Sequence, residues 1–371
     1  MKINNLFIVI ILLLLVSFHS CQNHSGYIIT GNVSGFPDST MIYLRNLSTD
    51  ETFDSTLIIG NKFQLKGQLI DEPEQIWLNT EVDNEFIYTD LLIGNEKIKI
   101  IGDIKDFPWH VTITGSKTQE DHNYLLNLTK SFYMKRDSLL KIYFTLTPEE
   151  QQNKGKEIWD EIGILDESTN EIQVAFVKSH INTYPGVINL GYLKNSIPKD
   201  TVQYLYNMLS DELKSSKYAK VVEIYLNDKI FEIGDYYHDF KALDKKGDTI
   251  SFSSITGKYI LLNFTSAYCG PCIQSVKELK LINQTYSDSL QIVSFSTDTQ
   301  KSTWHKSLEK DSISWISLWD GEGTYSETYI KYGVRGIPSF FLINPKGEIM
   351  DKWSGYGKGS LENKLHRFKK N

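Results

Sequence analysis

Along the first half of the chain, apolar and polar residues alternate in short runs separated by turn residues. From Gly26 to Gly115 such runs cover Tyr27 to Thr30, Met41 to Arg45, Phe63 and Leu65, Ile76 to Leu78, Lys97 to Ile101 and Val111 to Thr114. A period of two with frequent turns predicts strands, and strands at this spacing predict a small sandwich or barrel. Gly60-Asn61 is a hairpin-turn signal between two of them. From Ser116 to about Asn227 the period lengthens towards 3.6, broken at Pro148, Pro185 and Pro198, which predicts a helical segment. Thr147-Pro148-Glu149-Glu150 reads as a helix start: Thr147 caps free amides, Pro148 suits the first turn and Glu150 reaches back to the cap. After Gly234-Asp235 the pattern changes again. Asp239 to Leu243 and Thr249 to Phe252 read as strands around a Lys246-Gly247-Asp248 turn, and Tyr259 to Phe264 as a buried central strand.

The N-terminal run from Leu6 to Phe18 follows Lys2 and is about 13 residues long, the length of a secretory signal core and too short to span a bilayer. It predicts export. The sequence Phe18-His19-Ser20-Cys21 resembles a bacterial lipobox, which implies lipidation of Cys21 after removal of residues 1–20. Phe18 and His19 depart from the usual Leu and small residue, but Phe18 and Ser20 also miss the small-x-small pattern of ordinary signal cleavage.

With 371 residues, two or three folded units are expected. Segment boundaries fall at 1–20 (signal), 26–115 (β-rich), 116–227 (helical spacer) and 229–371 (α/β). Hydrophobic residues make up 40% and charged residues 23%, the balance of a globular protein. A net charge of −7 argues against nucleic acid as a partner. The three cysteines, Cys21, Cys269 and Cys272, exclude a disulfide framework. His122 and His180 stand alone and read as surface or core-edge residues rather than ligands, while Trp77, Phe86 and Tyr88 read as core in preference to a ligand surface.

The chemistry concentrates at Tyr268-Cys269-Gly270-Pro271-Cys272, where the buried strand ends and a helical pattern through Ile273, Val276 and Leu279 begins. Cysteines three apart at a helix start can close a small ring. The first faces the unpaired amides and the positive end of the helix dipole, which stabilise a thiolate. Cys269 is therefore the expected nucleophile and Cys272 the resolving thiol, joined as a redox-active disulfide. A structural zinc site lacks a second cysteine pair, so no metal and no other cofactor is expected. A purely structural disulfide across so short a loop constrains the unfolded chain little.

Val334-Arg335-Gly336-Ile337-Pro338 then leads into the apolar stretch Ser339 to Ile343, and Asn344-Pro345-Lys346-Gly347 turns into Glu348-Ile349-Met350. Together with Gly257-Lys258, the Cys-Gly-Pro-Cys motif, and the strand Gln291 to Ser296 ending at Thr297-Asp298, this resembles the thioredoxin superfamily, in its TlpA-like and ResA-like envelope branch. The resemblance implies an α/β domain with a central mixed sheet flanked by helices. It also implies a cis Pro338 beside the dithiol and an Ile337 backbone that pairs with substrate, so that Tyr268, Gly270, Pro271, Ile337 and Pro338 form the substrate-facing lip. The β-rich segment resembles an uncharacterised domain that precedes such units in bacterial lipoproteins.

Departures from that pattern are specific. Tyr268 and Thr265 stand where the family usually has Trp, Asn263 where thioredoxin has a buried acid, and Ser275 and Lys277 where a Glu and a helix-kinking Pro are common. The base that serves Cys272 is thus unassigned. The implied activity is reduction or isomerisation of protein disulfides in the cell envelope, periplasm-facing on a lipid anchor and fed by an inner-membrane electron donor. Two alternatives are a peroxiredoxin-like peroxidase, whose P-x-x-x-T-x-x-C setting is not met before Cys269, and a non-enzymatic redox-sensing or adaptor lipoprotein. Oligomeric state is not legible.

Overall fold

A computed structural model describes residues 26–366 except 50, 70, 71 and 256. The signal segment and Cys21 lie outside the described residues. In the first segment, eight strands form two four-stranded sheets. They are β1 (Tyr27–Ser34), β2 (Thr40–Asn46), β3 (Thr52–Ile58), β4 (Lys62–Gly67), β5 (Glu74–Val82), β6 (Glu85–Ile93), β7 (Lys97–Asp103) and β8 (Thr112–Thr114). One sheet has the order β4-β1-β7-β8 and the other β3-β2-β5-β6. Alternation in β1 sends Tyr27, Ile29 and Val33 into a core shared with Ile42, Leu44, Ile76 and Leu78 from the facing sheet, which makes this a sandwich.

Two expectations need correction here. Gly60 and Asn61 do form a tight left-handed turn (φ 55° and 63°), with Ile59 and Lys62 bridging across it. No hairpin ladder follows, because β3 pairs with β2 while β4 pairs with β1, so the turn is a corner between sheets. Trp77, Phe86 and Tyr88 are not core. Ile76 and Leu78 occupy the inner face of β5, so Trp77 between them points outward, and Phe86 and Tyr88 share that outer face opposite Glu81 and Asn79. The three rings pack on one another at 5.1–5.8 Å, Trp77 Nε1 donates to Asp90 Oδ1 at 2.6 Å, and Phe86 stays 48% exposed.

The middle segment comprises α1 (Lys117–Thr145), α2 (Pro148–His180), α3 (Tyr184–Leu193), α4 (Lys199–Asn207), α5 (Asp211–Lys214) and α6 (Lys217–Asn227). The start of α2 is a capping box: Thr147 Oγ1 accepts from the Glu150 amide and Glu150 Oε2 accepts from the Thr147 amide. Phe176, Val187, Leu190, Val202, Leu205 and Val222 build a separate core, and Leu92 of β6 belongs to it, so sandwich and helices share apolar packing. His122 lies buried in α1, and burial lowers its imidazole to about 4. His180 stacks on Phe176 at 4.6 Å. None of the described helices is long and apolar enough to cross a membrane.

The last segment is a seven-stranded mixed sheet. Its strands are β9 (Lys241–Asp244), β10 (Thr249–Ser251), β11 (Tyr259–Thr265), β12 (Leu290–Ser296), β13 (Ile316–Trp319), β14 (Ser339–Ile343) and β15 (Ile349–Ser354), in the order β10-β9-β13-β12-β11-β14-β15. Helices α7 (Gly270–Tyr286), α8 (Lys301–Lys310), α9 (Glu327–Lys331) and α10 (Ser360–His366) flank it. The run Ile260 to Phe264 is fully buried because its side chains feed two cores, Leu262 and Phe264 on one face and Leu261 on the other. Polar bonds tie this unit to the rest: Ser48 Oγ with Tyr325 OH at 3.3 Å, Thr303 Oγ1 to Glu51 at 3.3 Å and Lys220 to Glu322 at 2.7 Å.

Candidate active site

Strand β11 runs parallel to β12 and antiparallel to β14, and both neighbours bring groups to its end. Beyond Thr265 the chain turns through Ser266, Ala267 and Tyr268 into α7, whose N-cap is Cys269. Cys269 keeps an extended backbone (φ −79°, ψ 105°). Its sulfur accepts the backbone amide of Cys272 at 3.2 Å, and its carbonyl accepts that of Ile273 at 3.0 Å. Pro271 carries no amide hydrogen and so fits a first turn where none would be paired. The two sulfurs are bonded to each other. Cys272 is 2% exposed whereas Cys269 is half-buried, so the first sulfur is the one that can be approached from outside.

Facing this helix tip is the loop before β14. Pairing of Ser339 with Phe264 sets the preceding Ile337 and Pro338 beside the dithiol, and the Ile337 carbonyl oxygen lies 3.6 Å from Cys269 Sγ. The Ile337–Pro338 peptide is cis. Tyr268, Gly270 and Pro271 are exposed on the helix side and Ile337 is half-buried opposite, so these residues surround the sulfur pair as a lip. Cys21 is not among the described residues. No group of three or more His, Cys, Asp or Glu side chains among the described residues is arranged to hold a metal ion.

Behind the disulfide, two polar groups stand out. Asn263 on β11 is buried, and its Oδ1 has no hydrogen-bond partner among protein atoms. Asp298, just past β12, is 2% exposed and binds the cysteine loop. Its Oδ1 accepts from Ser266 Oγ at 2.9 Å and from the Ala267 amide at 3.0 Å, and its Oδ2 accepts from Ser296 Oγ at 2.7 Å. Asn263, Cys272 and Asp298 line one chamber of about 40 Å³, large enough to hold a water molecule. Sequence reasoning noted Asp298 only as the end of a strand. An acid directly after an apolar strand next to the central one was the available signal.

Residues 257–349 match the family described as "Thioredoxin-like", and residues 27–122 match a domain of unknown function (DUF4369). The α/β unit is a thioredoxin-like domain. Among its relatives is the thioredoxin-like protein YneN of Bacillus subtilis, 28% identical over 36% of this chain and 78% of that protein. Another is the thiol-disulfide oxidoreductase ResA of Halalkalibacterium halodurans, 25% identical over 36% of this chain and 74% of that one. A solved thioredoxin domain of a thiol-disulfide oxidoreductase from Bacteroides vulgatus is 26% identical, covering 37% of this chain and 98% of that domain, with a TM-score of 0.35. The α/β unit is a disulfide oxidoreductase domain, preceded by a sandwich that matches a domain of unknown function.

Proposed function

We propose that this disulfide oxidoreductase works by dithiol exchange at Cys269 and Cys272 on protein disulfides. In the reduced enzyme, the Cys269 thiolate attacks one sulfur of a client disulfide. A mixed disulfide forms and the other client sulfur leaves as a thiolate that takes up a proton. Cys272 then gives up its proton and attacks Cys269, releasing the second client thiol. Two electrons pass to the client, and the enzyme ends with the Cys269–Cys272 bond. The observation that carries this reading is the asymmetry of the pair: Cys269 half-exposed at a helix N-terminus and holding an amide donor, Cys272 buried behind it.

The Gly270-Pro271 spacer favours the reducing or isomerising direction, and repeated turnover then requires an inner-membrane electron donor. Export by residues 1–20 and lipidation at Cys21 would anchor the enzyme in the envelope, facing the periplasm, with 26–115 and 116–227 holding the catalytic unit 229–371. In the parent organism, Cys272→Ala is expected to accumulate client proteins as mixed disulfides through Cys269, and a Cys269→Ser, Cys272→Ala double variant none. Absence of adducts, together with no insulin-disulfide reduction by the intact protein, would refute exchange. Peroxide consumption at a rate matching dithiol exchange would instead favour the peroxidase.

A further inference from the structure

A cleft runs between the helical segment and the oxidoreductase unit, and its wall includes Arg335 and Ser339, which flank the Ile337-Pro338 stretch facing the dithiol. One part, about 550 Å³, lies between α3, α6 and the stretch from Thr324 to Arg335. A second part, about 350 Å³, continues to Ser339, Phe341 and Trp353 of the sheet. Both parts share a wall that includes Lys194 and Arg335. Arg335 is two residues from Ile337, whose carbonyl lies 3.6 Å from Cys269 Sγ, so the Arg335 backbone lies within about 7 Å of the residue that faces that sulfur.

The charge in this cleft is one-sided. The larger part is lined by Lys194 and Arg335 and by no carboxylate. In the smaller part, Glu232 is already paired with Lys352 at 2.5 Å. Among the described residues, neither Lys194 nor Arg335 has a carboxylate partner. The Lys194 ammonium donates to the Gly191 carbonyl at 2.8 Å instead. Burial and, after it, the nearby Arg335 charge both depress the ionisation of Lys194, as expected for two cations held together without a counter-ion. In a chain of net charge −7, two cations sharing one cleft wall without a carboxylate partner are a local exception.

We propose that this cleft receives the client polypeptide next to its disulfide, and that Lys194 and Arg335 select segments carrying Asp or Glu at that place. The inference rests on the dithiol-exchange reading. Acidic side chains are the occupants because carboxylates supply the missing counter-charge, while basic segments would add a third and fourth cation to a confined space.

The test compares three disulfide-linked peptides that differ only in having two Glu, two Gln or two Lys beside the cysteine, turned over by the reduced full chain, with neutral hydroxyethyl disulfide as a measure of dithiol activity. At low ionic strength, kcat/KM is expected to follow Glu over Gln over Lys, with roughly five-fold or more between the Glu and Lys peptides. High salt should compress that ratio. Arg335→Glu, at an exposed position, is expected to invert the Glu-to-Lys ratio, and Lys194→Gln to reduce it. A ratio near one in the unaltered protein, or a ratio that Arg335→Glu leaves in place, overturns the inference while leaving exchange intact. Failure to reduce even hydroxyethyl disulfide would remove exchange and this selectivity together.

Discussion

Replacing Asp298 tests whether the cysteine loop is held from behind. Its carboxylate is 2% exposed and accepts from Ser266 Oγ, the Ala267 amide and Ser296 Oγ at 2.7–3.0 Å. Asp298→Ala leaves these three donors facing an apolar methyl group. Each such loss is worth on the order of 1–3 kcal/mol when the acceptor is charged or the donor is buried. Since the three share one acceptor and relax together, about 3–5 kcal/mol is expected rather than the full sum. Asp298→Asn retains one carbonyl oxygen and removes the charge, so roughly half that loss follows. Urea unfolding of the oxidised protein measures the stability term.

The loop carries Cys269 at its end, so the exchange rate with insulin should also fall, by roughly ten-fold or more, as the sulfur loses its fixed position. Comparing the pH dependence of mixed-disulfide resolution in Asp298→Asn and the unaltered protein separates anchoring from proton transfer. A displaced profile means that the acid also serves Cys272 across the small chamber. Unchanged stability and unchanged rate in Asp298→Ala would refute the anchoring argument outright.

Burial lowers the His122 imidazole to about 4 from an ordinary 6.5, so below pH 6.5 the unfolded chain binds a proton that the folded chain refuses. Stability is therefore lost as the pH falls from 6.5 towards 4. The difference between the unaltered protein and His122→Gln in urea titrations should change by roughly 2 kcal/mol between pH 7 and pH 5, and a constant difference would refute it. Gly31 on β1 has no room for a side chain, because a Cβ there would sit 1.9 Å from the Phe63 ring. Gly31→Ala is expected to cost about 1–3 kcal/mol through displacement of that ring, read as a lower urea midpoint. Phe63→Leu in the Gly31→Ala background should restore part of it.

What the sequence made legible depended on whether a residue's role was local. Ile260 to Phe264 announced a central strand because burial on both faces leaves Asn263 as the one polar residue of the run, and β11 has that place in the sheet. Thr147 and Glu150 announced a helix start because a capping box is a four-residue device. The hairpin signal at Gly60-Asn61 was correct for the turn but silent about which strands it would connect, a choice made by packing between sheets. Trp77, Phe86 and Tyr88 were misread because their size was weighed and their phase was not: Ile76 and Leu78 already claim the inner face. Asp298 was signalled only by its place after an apolar strand, since Ser266 and Ala267, which it anchors, lie about thirty residues away and meet it only through the register of β11 on β12. The proximity of Ile337 to Cys269 was visible only by family resemblance, because nothing local ties positions 68 apart.

The atom proposed to react has a second duty, since the Cys269 sulfur terminates α7 by accepting the amide of Cys272. Removing it for the sake of an inactive control therefore also unplugs a helix, at about 1 kcal/mol for an alanine. Serine, with an oxygen in the same place, can silence the chemistry and keep the plug.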